Sequence, residues 1–96
     1  MIGKTDLQTR YSELINDILP QEIQQPIRFN HCFGRVVLDW LFQDVWYKHI
    51  EKRPAYKQLS EEQLKRAISR MEKWLEDREM LVADNRASLN YRASRK

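Results

Sequence analysis

Apolar positions recur along this chain at the spacing of helices, about 3.6 residues, and nowhere over a convincing length at the two-residue alternation of strands. Near the N-terminus Leu7, Tyr11, Leu14, Ile15 and Ile18 follow one another at steps of four, three, one and three. That spacing predicts a helix over about 6–18 with Thr5 as its cap. The segment "LPQEIQQPIRF" comes next. Its prolines, Pro20 and Pro26, disfavour helical geometry in the residues before them, so a surface linker is predicted over 19–29.

The stretch from Asn30 to Ile50 reads differently. Placed on a helix at about 100° per residue, it shows apolar side chains on nearly every bearing. Gly34, Leu38, Leu41, Phe42 and Val45 fill one arc, and Phe33, Val36 and Trp40 another. Polar residues keep to two narrow stripes: Arg35, Asp39 and Gln43 on one side, Asp44 and Lys48 on the other. A helix apolar nearly all round is surrounded by neighbours, so a central buried helix is predicted over about 30–50, capped by Asn30.

A turn over 51–59, containing "RPAYKQ", precedes Ser60 and Gln63, a capping-box pair, with Glu61 and Glu62 in a first turn that favours negative charge. Beyond it Leu64, Ile68, Met71, Leu75, Val82 and Leu89 share a face, flanked by Ala67, Trp74, Leu81 and Ser88. The pattern supports one helix over about 60–91, or a pair broken at "EDRE" or "ADN", where Asp and Asn compete for backbone hydrogen bonds. A basic tail, 92–96, closes the chain. The fold class is all-α: a small single-domain bundle of three to four helices.

Composition agrees with that architecture. Ninety-six residues make one small core, and 42% apolar with 32% charged residues describe a globular chain. No apolar run approaches the roughly 20 residues that span a bilayer, and "MIGKTDLQTR" has no signal-peptide stretch, so no membrane partner is expected. The single cysteine, which has no intrachain partner, fits a reducing, cytoplasmic setting. The formal charge of +3 is uneven: residues 1–48 hold five Lys/Arg and six Asp/Glu, residues 49–96 twelve and eight.

Several clusters carry potential chemistry. His31, Cys32 and His49 are metal-ligand types, but His31 and His49 on one helix stand about 27 Å apart, and Cys32 points about 100° from His31. With no second cysteine and no paired-ligand spacing, neither a metal nor another cofactor is expected. Cys32 in a first helical turn is a conceivable nucleophile, with His31 beside it in sequence only, which makes a small enzyme the least favoured reading. Arg28, Asn30, His31 and Arg35 gather cations and N–H groups at a helix start, an anion-binding arrangement without a glycine-rich loop. Arg35, Asp39, Gln43 and Trp46 form a tryptophan-and-charge stripe of the kind found at protein-binding hot spots.

Arg86, Tyr91, Arg92, Arg95 and Lys96 supply cations and a ring for nucleic acid, with no acid beyond Asp84. The segment after Ser60, with heptad spacing interrupted by Arg78 and Asn85, offers a route to self-association. The expected function is a small non-catalytic interaction module, an adaptor or regulator that presents a helical face to another protein. The alternative is a nucleic-acid-associated regulator working through the basic C-terminal segment.

Overall fold

A computed structural model describes residues 3–25, 27 and 29–93 of the protein. Five α-helices build it: α1 (Lys4–Glu13), α2 (Leu19–Glu22), α3 (Asn30–Phe42), α4 (Glu61–Glu76) and α5 (Arg78–Ala93). Two 3₁₀ turns, Trp46–Lys48 and Ala55–Gln58, lie between α3 and α4, and no strand occurs among the described residues. The small all-α bundle is therefore the architecture. α4 packs along α1, α5 along α3, and α3 also meets α4. The core between them contains Leu14, Leu19, Phe33, Val36, Val37, Leu59, Leu64, Met71, Trp74 and Leu81, each fully buried.

The first helix outruns its predicted end. Leu14–Ile18 forms a π-helical turn that passes into α2, so the chain stays helical through Pro20 to Glu22 and the predicted linker shortens at its start. Proline fits because the wide turn closes with the Leu19 N–H donating to the Leu14 carbonyl, and Pro20 then sits in the first turn of α2, where a missing donor costs little. Gly3 rather than Thr5 occupies the N-cap of α1, where its N–H donates to the Asp6 carboxylate at 3.3 Å.

The third helix is shorter than predicted. It ends at Phe42, not near Ile50, because Gln43 adopts a left-handed conformation (φ 55°) and its side-chain amide donates to the Trp40 carbonyl at 2.6 Å. Two carboxylates then capture the backbone that would have continued the helix. Asp39 Oδ1 accepts the Trp46 N–H at 2.9 Å, and Asp44 Oδ1 accepts the Val45 N–H at 2.8 Å. That bond, with help from His49 and Lys48 and against some desolvation, holds the Asp44 carboxyl below the usual aspartate range. At the other end Phe29 is the N-cap, and Asn30 is the first helical residue, its Oδ1 accepting the His31 N–H at 2.8 Å.

After Ser60 the chain makes two helices. The Ser60 hydroxyl accepts the Gln63 N–H at 3.1 Å, and Gln63 Oε1 accepts the Ser60 N–H at 2.9 Å, so the capping box is present. The break falls within "EDRE". Asp77 is the C-cap of α4, and its carboxylate accepts the Glu79 and Met80 N–H groups at 3.1 and 3.3 Å, so one residue stops a helix and starts the next. The kink also resets the apolar phase. Leu81 and Ser88, from the flanking set, are buried, while Val82 and Leu89 from the predicted face are exposed. Arg78, an oddity on a coiled-coil seam, donates to the carbonyls of Trp74, Leu75 and Glu22, where α4 and α2 leave acceptors unpaired.

A buried carboxylate joins α5 to α4. Asp84 accepts from Arg70 Nε at 2.7 Å and Nη2 at 2.8 Å, and from the indole N–H of buried Trp74 at 2.9 Å. Removing it orphans both donors, which costs about 3 kcal/mol in a domain whose whole stability is about 5–15 kcal/mol. Asp84→Ala is expected to lower the midpoint of thermal unfolding by roughly 15 °C in a circular dichroism melt. A shift under about 4 °C would show that the pair contributes little.

Candidate functional site

An open groove of about 610 Å³ lies between the N-terminal helix, α3 and the segment after it. Tyr11, Ser12, Ile15 and Asn16 form one wall; Asn30, His31, Gly34, Arg35 and Leu38 form the second; Trp46 and residues 53–56 form the third. The walls are aromatic and aliphatic. Tyr11 and Tyr56 stack with centroids 5.6 Å apart, and burial pushes the Tyr11 phenol above its ordinary pKa, so that ring remains neutral. A polar line crosses one edge: the Asn30 amide donates to Asn16 Oδ1 at 2.8 Å, and the Asn16 amide to the Ser12 hydroxyl at 3.0 Å.

Two of the sequence-derived clusters meet here. Arg35 and Trp46 from the interaction stripe, and Asn30, His31 and Arg35 from the anion cluster, line the same groove. The reason differs from the expected one. Trp46 reaches Arg35's side because the chain turns back after Gln43, not because one helix carries both. Asp39 does not line the groove: it is fully buried. Gln43 lies apart as well, its Oε1 accepting from the Tyr91 hydroxyl at 3.2 Å. Arg28 of the anion cluster lies outside the described residues.

Arg35 and Asp39 stand one helical turn apart on α3. They are linked through Ser88 of α5: Arg35 Nη1 donates to the Ser88 hydroxyl at 2.7 Å, and that hydroxyl donates to Asp39 Oδ2 at 2.6 Å. Arg35 Nη2 donates to Asn85 Oδ1 at 2.8 Å. The cation that meets Asp39 directly is Arg92, with Nε 3.1 Å from Oδ2. A fully buried carboxylate requires a cation and several donors, and α5 supplies more of them than a neighbour on the same helix does.

Part of the nucleic-acid set is engaged within the fold. Arg92 serves Asp39 and lies 5.5 Å from the Tyr47 ring centroid, Tyr91 bonds Gln43, and Arg86 is exposed on α5. Arg95 and Lys96 lie outside the described residues. Cys32 is half-buried, and no group of three or more His, Cys, Asp or Glu side chains among the described residues could hold a metal. No helix among them is long and apolar enough to cross a membrane.

Ten of the fourteen residues that line the groove belong to no sequence-derived cluster, Tyr56, Arg53 and Gly34 among them. Tyr56 and Arg53 fell in a turn given no role, although a tyrosine beside "RPA" was the available signal. The Arg53 guanidinium lies 5.2 Å from the Trp46 ring centroid. Gly34 stood only within an apolar arc of the central helix. A Cβ built there meets only Ile15 Cδ1, at 3.7 Å, an ordinary contact. Close helix packing therefore does not require glycine, and its missing side chain leaves the groove floor open.

A smaller depression around half-exposed Trp40 is lined by Lys65, Arg66, Ser69, Arg70 and Lys73, with Arg66 and Arg70 at 5.4 and 4.8 Å from the ring. Of these cations Arg70 is committed to Asp84, while Glu72 of α4 pairs with Arg10 of α1.

No protein-family model, curated protein or solved structure matches this chain.

Glycine inside a helix costs about 0.5–1 kcal/mol relative to alanine. Gly34→Ala is expected to raise stability by that amount in urea unfolding, with an unchanged dependence on urea concentration. Destabilisation by 1 kcal/mol or more would mean that the floor is packing-limited and not open.

Proposed function

We propose that the protein is a small non-catalytic interaction module that holds a short segment of another protein in the groove between α1, α3 and the 46–56 segment. One observation carries this reading: half-exposed Trp46 and Tyr56, with the buried Tyr11 behind them, share a single open groove with two arginines. Trp, Tyr and Arg dominate the energetics of protein recognition: the two aromatics bury a large area for few rotatable bonds, and Arg brings a planar fork of donors. A volume of about 610 Å³ lies within the range of sites that enclose a compact ligand, and the open side lets a longer chain run through.

The groove is largely preformed. Tyr11 is anchored in the core, Tyr56 is stacked on it, and Arg35 is fixed by Ser88 and Asn85. Preorganised groups lose little entropy on binding, which favours a specific recognition site over an adaptable surface.

Selection of randomised dodecapeptides displayed on phage against the immobilised protein tests this. The expected result is at least one enriched peptide family whose affinity falls tenfold or more with Gly34→Leu, which fills the floor from a helical position. No enrichment over the support, or families indifferent to Gly34→Leu in a variant with an unaltered circular dichroism spectrum, would remove the groove as the site.

A further inference from the structure

We infer that the occupant of this groove is acidic: a peptide segment in which an Asp or Glu neighbours a large apolar or aromatic residue. The inference rests on the reading of the groove as a protein-binding site and names the chemistry of its partner. The lining contains Arg35, Arg53 and His31 and neither Asp nor Glu. A site of this size in a chain with 14 acidic residues could readily include one, and its cations would then be matched.

The two arginines are unmatched in different ways. Arg53 is exposed, lies over Trp46 and makes no ion pair among the described residues. Arg35 is half-buried, and both of its bonded partners, Ser88 and Asn85, are neutral. The nearest carboxylate in that network is Asp39, one hydroxyl away, and Arg92 already pairs with it. Arg35, Arg92 and Asp39 together therefore carry one excess positive charge beside the groove. Ser88 and Asn85 use two of the five guanidinium N–H groups of Arg35, which leaves donors for an incoming acceptor.

A carboxylate in the groove offsets this excess charge, and at half-buried Arg35 charge-assisted bonds are strong and bidentate geometry is available. A basic ligand would bring a third cation to the same place. A purely apolar one would cover Arg53 without compensating its lost hydration. The aromatic walls and the Gly34 floor accept the apolar neighbour, so the two requirements fall on adjacent residues of one segment.

The test uses the peptide families selected above and the variant Arg53→Glu, an exposed position whose reversal leaves the core untouched. Groove-dependent families, defined by their loss with Gly34→Leu, are expected to contain Asp or Glu beside Phe, Trp, Leu or Ile. A synthetic peptide from such a family should bind about tenfold more weakly when its acid becomes Asn or Gln. It should weaken similarly against Arg53→Glu, and a Lys at the acidic position should recover part of that loss. Groove-dependent families without acids, or affinity unchanged by Arg53→Glu, would overturn the acidic occupant while leaving the groove as a protein site. Competition by a 20-nucleotide single-stranded DNA at matched phosphate concentration, with binding that falls steeply with salt, would reassign the cations to a polyanion and overturn the inference. An absence of groove-dependent peptides would overturn this inference together with the groove itself.

Discussion

The Asp39 carboxylate, with no exposed surface, is the constraint around which this small bundle is arranged. Taking an ionised carboxylate out of water costs several kcal/mol unless a cation and enough donors surround it. Here three donors come from two places. The Trp46 amide comes from the chain just beyond α3, and the Ser88 hydroxyl and the Arg92 guanidinium come from the far end of α5. Meeting that need ends α3, turns the chain back, and docks the C-terminal helix against the central one. Asp84 does the same between α5 and α4 through Arg70 and Trp74. Every fully buried side-chain nitrogen and oxygen among the described residues has a partner, so these polar links add specificity without leaving orphaned groups.

The groove follows from that arrangement. Because Asp39 holds the Trp46 backbone, the following segment crosses back over α3 and places Trp46, Arg53 and Tyr56 opposite α1. Because Ser88 is shared between Asp39 and Arg35, the Arg35 guanidinium is oriented by the core while it lines the groove. The floor is open because position 34 has no side chain, although a methyl group would meet nothing closer than 3.7 Å. A site kept open where the helix would be more stable filled is a familiar conflict between stability and binding.

Much of the fold was legible in the sequence, because helix periodicity and the Ser60–Gln63 box are local signals, whereas the choice between one helix and a pair broken at "EDRE" or "ADN" stayed open. The errors share one physical origin. Treating Asn30 to Ile50 as a single helix assumes that the backbone bonds only to itself, whereas Asp39 and Asp44 compete for it. Extending the Leu64 face through Val82 and Leu89 assumes a constant phase, which Asp77 resets. Ending the first helix before Pro20 overlooks the π-helical turn that accommodates it. The candidate site was half legible. Arg35, Trp46, Asn30 and His31 were singled out in two separate clusters, but the merging of those clusters depends on partners some fifty residues away, such as Ser88 and Arg92. No local pattern encodes that pairing. Arg53 and Tyr56 became visible only once the chain turned back over α3.

The most direct test of the claim that Asp39 organises both the bundle and the groove is amide hydrogen exchange, followed residue by residue, in Asp39→Asn. Asparagine keeps the shape, removes the charge that Arg92 requires, and weakens the acceptor for the Trp46 N–H. The Trp46 amide and the last turn of α5 are expected to lose protection by an order of magnitude or more, while amides in α1 and the middle of α4 change little. Protection unchanged at Trp46 and along α5 would contradict the claim, and would mean that apolar packing alone sets the path of the chain after α3.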